Sequence, residues 1–167
     1  REGHRQRQQV EQVEGAEDLE GQALEELGGV EGRQGRRQGR QVAAHRAERP
    51  GWPTVEAPIE LADAVDTAPP DALVIVDCLT VWVGNLFHHR PEPADRTRAY
   101  EQLVGVLSRR TGPTVVVSNE VGLGLHPDTS LGREYRDELG RLNQRVAAAA
   151  HTALFLVAGR ALPLVDP

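Results

Sequence analysis

Residues 72–78 read ALVIVDC, and this run decides the fold. Five apolar residues follow one another with no helical or alternating period, and three of them are β-branched. Such a run marks a strand buried on both faces, as in a parallel sheet. The turn-forming Ala68-Pro69-Pro70 precedes it, and Leu79 to Phe87 resumes at helical spacing. The same alternation recurs downstream. Ala94 to Arg109 predicts a helix with Tyr100, Leu103, Val104 and Leu107 on one face. Gly112-Pro113 ends it, and Thr114 to Val117 is a second buried strand. A glycine-rich loop, VGLGLHP (121–127), leads to a long helix from Ser130 to about Ala150. Ser130 is its expected N-cap, and Leu131, Tyr135, Leu139, Leu142 and Val146 are its expected buried stripe. Ala153 to Val157 is a third apolar strand, and Glu60 to Val65 a short helix ahead of the first. Apolar strands alternating with helices predict a three-layer α/β domain with a mostly parallel sheet.

Upstream of Val42 the texture changes. Residues 1–41 are dominated by Gln, Glu, Arg and Gly, and the tract EGRQGRRQGRQ (31–41) is low in complexity. EDLEGQALEEL (17–27) is the one amphipathic stretch there, and Gly21 weakens it. A segment so poor in apolar residues does not offset its conformational entropy, so disorder or a loosely held helix at 17–27, and no core strand, is expected. The chain divides into this segment and an α/β domain from residue 42 to 167. The abrupt boundary and the absence of Met point to residues 1–41 being read from another frame or start.

Composition narrows the function. A net charge of −6 gives no basic footprint for nucleic acid. The single Cys78 excludes an internal disulfide framework and a multi-Cys metal site, as in a reducing cytoplasm. No apolar run reaches the length of a membrane span. The 167 residues include no Lys, so lysine-dependent chemistry is excluded.

Ligands of open parallel sheets gather at the carboxyl ends of the strands. The three strands are expected to deliver Asp77-Cys78, Ser118-Asn119-Glu120 and Gly159-Arg160 to that edge. An apolar strand ending in Asp has two readings: a Walker-B-like carboxylate for Mg²⁺, or a cap for the following helix. The tract Val42 to Pro58 (VAAHRAERPGWPTVEAP) places His45 beside Arg46 and Arg49. A neutral imidazole can attack a phosphoryl group and hold it as a phosphoramidate, while guanidinium forks bind phosphate oxygens. The alternative is a histidine on an exposed helix face.

VAAHRAERP, W-P-T-V-E, VIVDCLTVWVGNL, VVVSNEVGLGLHP and LGREYRDELGRLNQRVAAAA occur in the order seen in the bifunctional adenosylcobinamide kinase / adenosylcobinamide-phosphate guanylyltransferases, which the chain resembles from about Val42 to Leu164. The resemblance implies a transferase of cobalamin biosynthesis with a P-loop NTPase (RecA-like) fold. Such an enzyme uses ATP or GTP with Mg²⁺, acts on adenosylcobinamide and its phosphate, and assembles as a homotrimer. It assigns His45 as the guanylylated residue and Arg46, Ala47, Glu48 and Arg49 to the guanine-nucleotide site. It assigns Glu56 and Asp77 to the nucleotide, and Asn119 and Glu120 to its phosphate and Mg²⁺ side. Family members open with a strand and a loop of the type GGxRSGKS, whose backbone N–H groups and Lys hold phosphates. That strand and loop are expected to be missing here, and Pro50-Gly51-Trp52 is one residue shorter than the usual spacing. An enzyme and an inactive remnant that has lost nucleotide binding are the two expectations.

Overall fold

The computed structural model describes residues 7–11, as backbone, and residues 51–164. Its elements run β1 (Arg7–Glu11), β2 (Thr54–Glu56), α1 (Leu61–Asp66), β3 (Leu73–Asp77), α2 (Leu79–His89), α3 (Pro93–Arg109) and β4 (Thr114–Val116). A 3₁₀ turn (Val121–Leu123), α4 (Ser130–Ala149), β5 (Ala153–Val157) and β6 (Arg160–Leu164) follow. A four-stranded parallel sheet has the order β2-β1-β3-β4, and β5 and β6 form a separate antiparallel pair.

The expectation of no core strand ahead of Val42 is corrected by β1, which lies between β2 and β3. Apolar content was the wrong measure for this segment. A parallel strand is held by its backbone N–H and C=O groups, and RQQVE offers them as well as any sequence does. Its one apolar residue, Val10, falls in register with Val55 and Val76, in the row that continues to Val116.

The helices collect on one face of the sheet. Val74 and Val76 are buried there with Leu61 and Val65 of α1, Leu79, Trp82, Val83, Leu86 and Phe87 of α2, Leu103 and Val106 of α3, and Leu139 and Leu142 of α4. Helix α2 is apolar nearly all round and is accordingly buried from Trp82 to Phe87. Each such side chain contributes about 1.5–3 kcal/mol. On the other face Ile75 is half-buried and its register neighbour Val115 is 48% exposed. Among the described residues, no helix packs on that face.

Ala153 to Val157 does not join the parallel sheet, which corrects the third strand. Ala158 and Gly159 both have positive φ, 51° and 71°, and Val157 pairs with Arg160 across them. Two central residues in the left-handed region make the tight turn that suits a two-residue hairpin, so the chain reverses where a strand end was expected. Leu154, Leu156, Leu162 and Leu164 stay exposed.

Helix α4 begins as expected, but Thr129 caps it, its Oγ1 accepting from Gly132 N at 3.0 Å. Leu131 of its expected stripe is exposed, whereas Leu139 and Leu142 are buried. The cap corrects Ser130.

One buried ion cluster ties α2, α3 and α4. Arg96 of α3 is 2% exposed, with Nε and Nη2 donating to the two oxygens of Glu138 at 3.0 and 2.8 Å. Nη2 also donates to Glu134, and Nη1 to the carbonyls of Arg90 and Pro91 at the end of α2. The guanidinium lies 4.0 Å from the centre of the Phe87 ring. Tyr100 donates its hydroxyl to Glu138 at 2.7 Å. Burial first, and then that bond, raise the Tyr100 pKa well above the usual phenol value. The bond to Glu138 raises that of Arg96. Every part of this guanidinium is occupied by protein.

Candidate functional site

The parallel sheet brings its carboxyl ends to one edge. In register, Glu56 of β2 and Asp77 of β3 flank Glu11 of β1, so three carboxylate residues share one lateral row. Neighbouring strands lie about 4.8 Å apart, which sets Glu56 and Asp77 about 10 Å apart along the row. Residues Ser118, Asn119 and Glu120 follow β4, the neighbour of β3, at the same edge. Two of the three expected strand ends therefore meet, and Gly159-Arg160 lies in the hairpin instead.

Asp77 is half-buried, and the peptide joining it to Cys78 is cis. Cys78 is the N-cap residue of α2 and no side chain caps that helix. The capping explanation of Asp77 is thus removed. Among the described residues no group of three or more His, Cys, Asp or Glu is placed to hold a metal. Mg²⁺ usually takes one or two carboxylates together with substrate phosphates, and a single half-buried Asp at a strand end fits that mode.

Helix α2 fixes the approach to Glu56. Trp82 Nε1 donates to the carbonyl of Ile59 at 2.9 Å, and Asn85 Nδ2 to that of Pro58 at 3.2 Å. The segment after β2 is therefore held to the helix that follows Asp77. Glu56 itself is exposed and borders an open hollow lined by Pro58, Ile59, Glu60 and Asp63. That hollow does not include Asp77, Asn119 or Glu120.

The turn after β4 is held most closely. Val117 N donates to Val76 O, and Leu79 N to Val117 O, both at 2.9 Å, which locks the end of β4 to β3 and the start of α2. Ser118 Oγ donates to Asn143 Oδ1 at 2.7 Å, and Asn143 Nδ2 donates to Asn119 O at 3.1 Å. Asn119 N donates to Thr80 Oγ1 at 3.0 Å. Glu120 spends one oxygen on its own loop, Oε1 accepting from Gly122 N at 3.1 Å. A Cβ at Gly122 would stand 2.8 Å from that oxygen, so the glycine permits the cap. Asn119 and Glu120 are otherwise exposed. Sequence reasoning passed over Thr80 and Asn143. Their signal was their place as polar residues within DCLT and RLNQ.

His45, Arg46, Ala47, Glu48 and Arg49 lie outside the described residues, as does the expected helix at 17–27. No described helix is long and apolar enough to cross a membrane.

Comparison with known proteins identifies a family. Residues 37–164 match the family model for cobinamide kinase / cobinamide phosphate guanyltransferase. The bifunctional adenosylcobalamin biosynthesis protein CobP of Pseudomonas aeruginosa is 41% identical over 129 residues, which is 75% of this chain and 73% of that protein. CobU of Salmonella typhimurium, of the same description, is 34% identical over 134 residues, covering 71% and 74%. CobU of Escherichia coli is 33% identical over 133 residues, covering 71% and 74%.

Proposed function

The chain belongs to the cobinamide kinase / cobinamide phosphate guanyltransferase family, and from that premise we propose that it phosphorylates adenosylcobinamide and then transfers GMP from GTP to adenosylcobinamide phosphate, giving adenosylcobinamide-GDP. The observation that carries this reading is the carboxyl edge of the sheet, where Asp77 of β3 neighbours the pinned Asn119 and Glu120 after β4.

The transfer runs in two displacements. A ring nitrogen of His45 attacks the α-phosphorus of GTP, and the bond to the β-phosphate breaks as pyrophosphate leaves. A phosphate oxygen of adenosylcobinamide phosphate then attacks the same phosphorus, and the histidine nitrogen leaves as the free base. Arg46 and Arg49 neutralise the phosphate oxygens, and Ala47, Glu48 and Glu56 complete the guanine-nucleotide site. Bound Mg²⁺ supplies charge neutralisation on the leaving phosphates, with Asp77 as its protein-side carboxylate. Asn119 and Glu120 face the phosphates. The active form is a homotrimer in the cytoplasm, and ATP or GTP serves the kinase step.

A second reading has its own observation, the absence of Lys from all 167 residues. The phosphate loop of the lysine type cannot be formed without it, and the kinase step loses its main phosphate ligand. Under this reading the chain keeps the fold as a remnant that holds no nucleotide.

Incubation with GTP labelled at the α-phosphate separates the two. Acid-labile, alkali-stable label that vanishes in His45→Ala supports the transferase. An intact, folded chain that takes no label, and whose melting temperature does not rise with GTP and Mg²⁺, supports the remnant.

A further inference from the structure

Asn119 has two sets of hydrogen-bonding groups, and the fold treats them in opposite ways. Its backbone is fully used. The N–H donates to Thr80 Oγ1 at 3.0 Å and the carbonyl accepts from Asn143 Nδ2 at 3.1 Å. Its side-chain amide is exposed and makes no hydrogen bond among the described residues. The two groups that grip the backbone come from different helices, α2 and α4, and each is itself held. Asn143 accepts from Ser118 Oγ at 2.7 Å. The Thr80 carbonyl accepts from Tyr135 of α4 at 3.0 Å, and the Tyr135 ring packs edge-on against Phe87 at 5.7 Å.

A turn beyond a strand end has no ladder to order it. Here the order comes from two side chains that hold the two peptide units on either side of the Asn119 Cα. The result is a fixed backbone from which a free amide projects, beside the carboxylate of Glu120 and the end of β3. A group ordered before the ligand arrives spares the cost of ordering it on binding.

The geometry points to Thr80 and Asn143 as positioning residues that aim the Asn119 amide at phosphate oxygens of the bound guanine nucleotide. This rests on the reading of Asn119 and Glu120 as the phosphate side of the site. Neither Thr80 nor Asn143 touches the ligand. Both act through the Asn119 backbone, Thr80 as acceptor and Asn143 as donor.

The test uses two substitutions at each position that separate shape from hydrogen bonding. Thr80→Val keeps the shape and removes the acceptor, whereas Thr80→Ser keeps the acceptor. Asn143→Asp keeps the oxygen that serves Ser118 and sets a second oxygen against the Asn119 carbonyl. Asn143→Gln keeps the donor on a longer arm. Titration with GTP and Mg²⁺ is expected to show about tenfold weaker binding in Thr80→Val and Asn143→Asp, one neutral hydrogen bond's worth of affinity. Thr80→Ser is expected within about twofold of the parent. In single-turnover labelling the loss is expected in the GTP concentration dependence, with the maximal rate little changed. Amide exchange at Asn119 is expected to accelerate in Thr80→Val and not in Thr80→Ser.

Equal loss in Thr80→Ser and Thr80→Val overturns the proposal, because shape and not the acceptor would then matter. So does unchanged affinity together with unchanged Asn119 exchange in Thr80→Val. A lowered melting temperature with neither change assigns Thr80 to the fold alone and overturns it too. If the parent chain binds no GTP, the functional reading fails by that result. The claim of aim toward phosphate then falls with it, whereas exchange at Asn119 still decides whether Thr80 pins the turn.

Discussion

Helix α4 carries two polar networks five residues apart, and they use hydrogen bonds to opposite ends. Around Glu138, the Arg96 guanidinium is buried and every donor it points inward is taken by Glu138, Glu134 or a carbonyl. Around Asn143 the groups are neutral, the backbone of Asn119 is taken from both sides, and its side chain is left outward. A network that consumes all of its charge serves the fold. One that fixes a backbone and leaves polar side chains uncommitted at the carboxyl edge of a parallel sheet is the kind the proposed function assigns to a ligand. The two differ in what a substitution is expected to damage.

The largest effect is expected at Arg96. Arg96→Met leaves Glu138 in a site only 12% exposed without its cation. Breaking a buried pair in this way costs about 3–5 kcal/mol. Urea unfolding measures it, and a loss below about 1 kcal/mol would mean that the cluster is solvated and the contrast with Asn143 misdrawn. Nucleotide affinity of the folded fraction is expected to stay near that of the parent.

Tyr100→Phe is the next step down. It removes the bond to Glu138 and is expected to cost about 1–3 kcal/mol, since it leaves a partly buried carboxylate oxygen short of a donor. The pH dependence has a definite sign. Burial raises the Tyr100 pKa in the folded chain, and the hydroxyl's bond to Glu138 adds to this, while the unfolded value is near 10. The folded state therefore keeps a proton that the unfolded state has released. This contribution is complete below about pH 10 and is lost as the pH rises above it. Stability curves of the parent and of Tyr100→Phe are expected to converge above that pH, and parallel curves would remove Tyr100 from the cluster's electrostatics.

How much of this was legible in the sequence depended on whether a residue or its neighbour decides the outcome. The run ALVIVDC states its own burial, and helix α3 was read to within one residue of its observed start. The run ALFLV at 153–157 looks the same but lies in an exposed hairpin, because two residues at its end, Ala158 and Gly159, turn the chain. RQQVE shows no apolar pattern and still pairs centrally, since register and backbone decide that place. At the site, Asp77, Asn119 and Glu120 were legible as polar residues ending apolar strands. Thr80 and Asn143 were not, because each sits on a helix and acquires its role only when the helix packs beside the turn. Arg96 gave no signal at all: an Arg early in a helix reads as a solvated charge until α4 covers it.

Asp77→Asn sharpens the contrast from the other side. Asp77 is half-buried and caps no helix, so exchanging its carboxylate for an amide is expected to change stability by no more than about 0.5 kcal/mol. Loss of the carboxylate is expected to weaken binding of GTP with Mg²⁺ by about tenfold or more and to lower the Mg²⁺ dependence of that binding. A large fall in stability with unchanged affinity would place Asp77 with the fold, beside Arg96.

The smallest effect is expected within the buried cluster itself, at its outer member. Glu134 meets the same Arg96 nitrogen as Glu138, but its side chain is 46% exposed where that of Glu138 is 12%. Water and salt screen the outer carboxylate and hydrate it whether or not the pair forms, so an exposed pair is worth about 0–1 kcal/mol. The two oxygens of Glu138 remain on Arg96 when Glu134 is neutralised. Glu134→Gln is therefore expected to cost about 0.5 kcal/mol or less and to lose that difference at high salt, whereas Glu138→Gln is expected to cost several times more at every ionic strength. Equal losses in the two variants would mean that charge count, and not burial, sets the strength of the cluster. Burial would then no longer separate it from the exposed turn at Asn119.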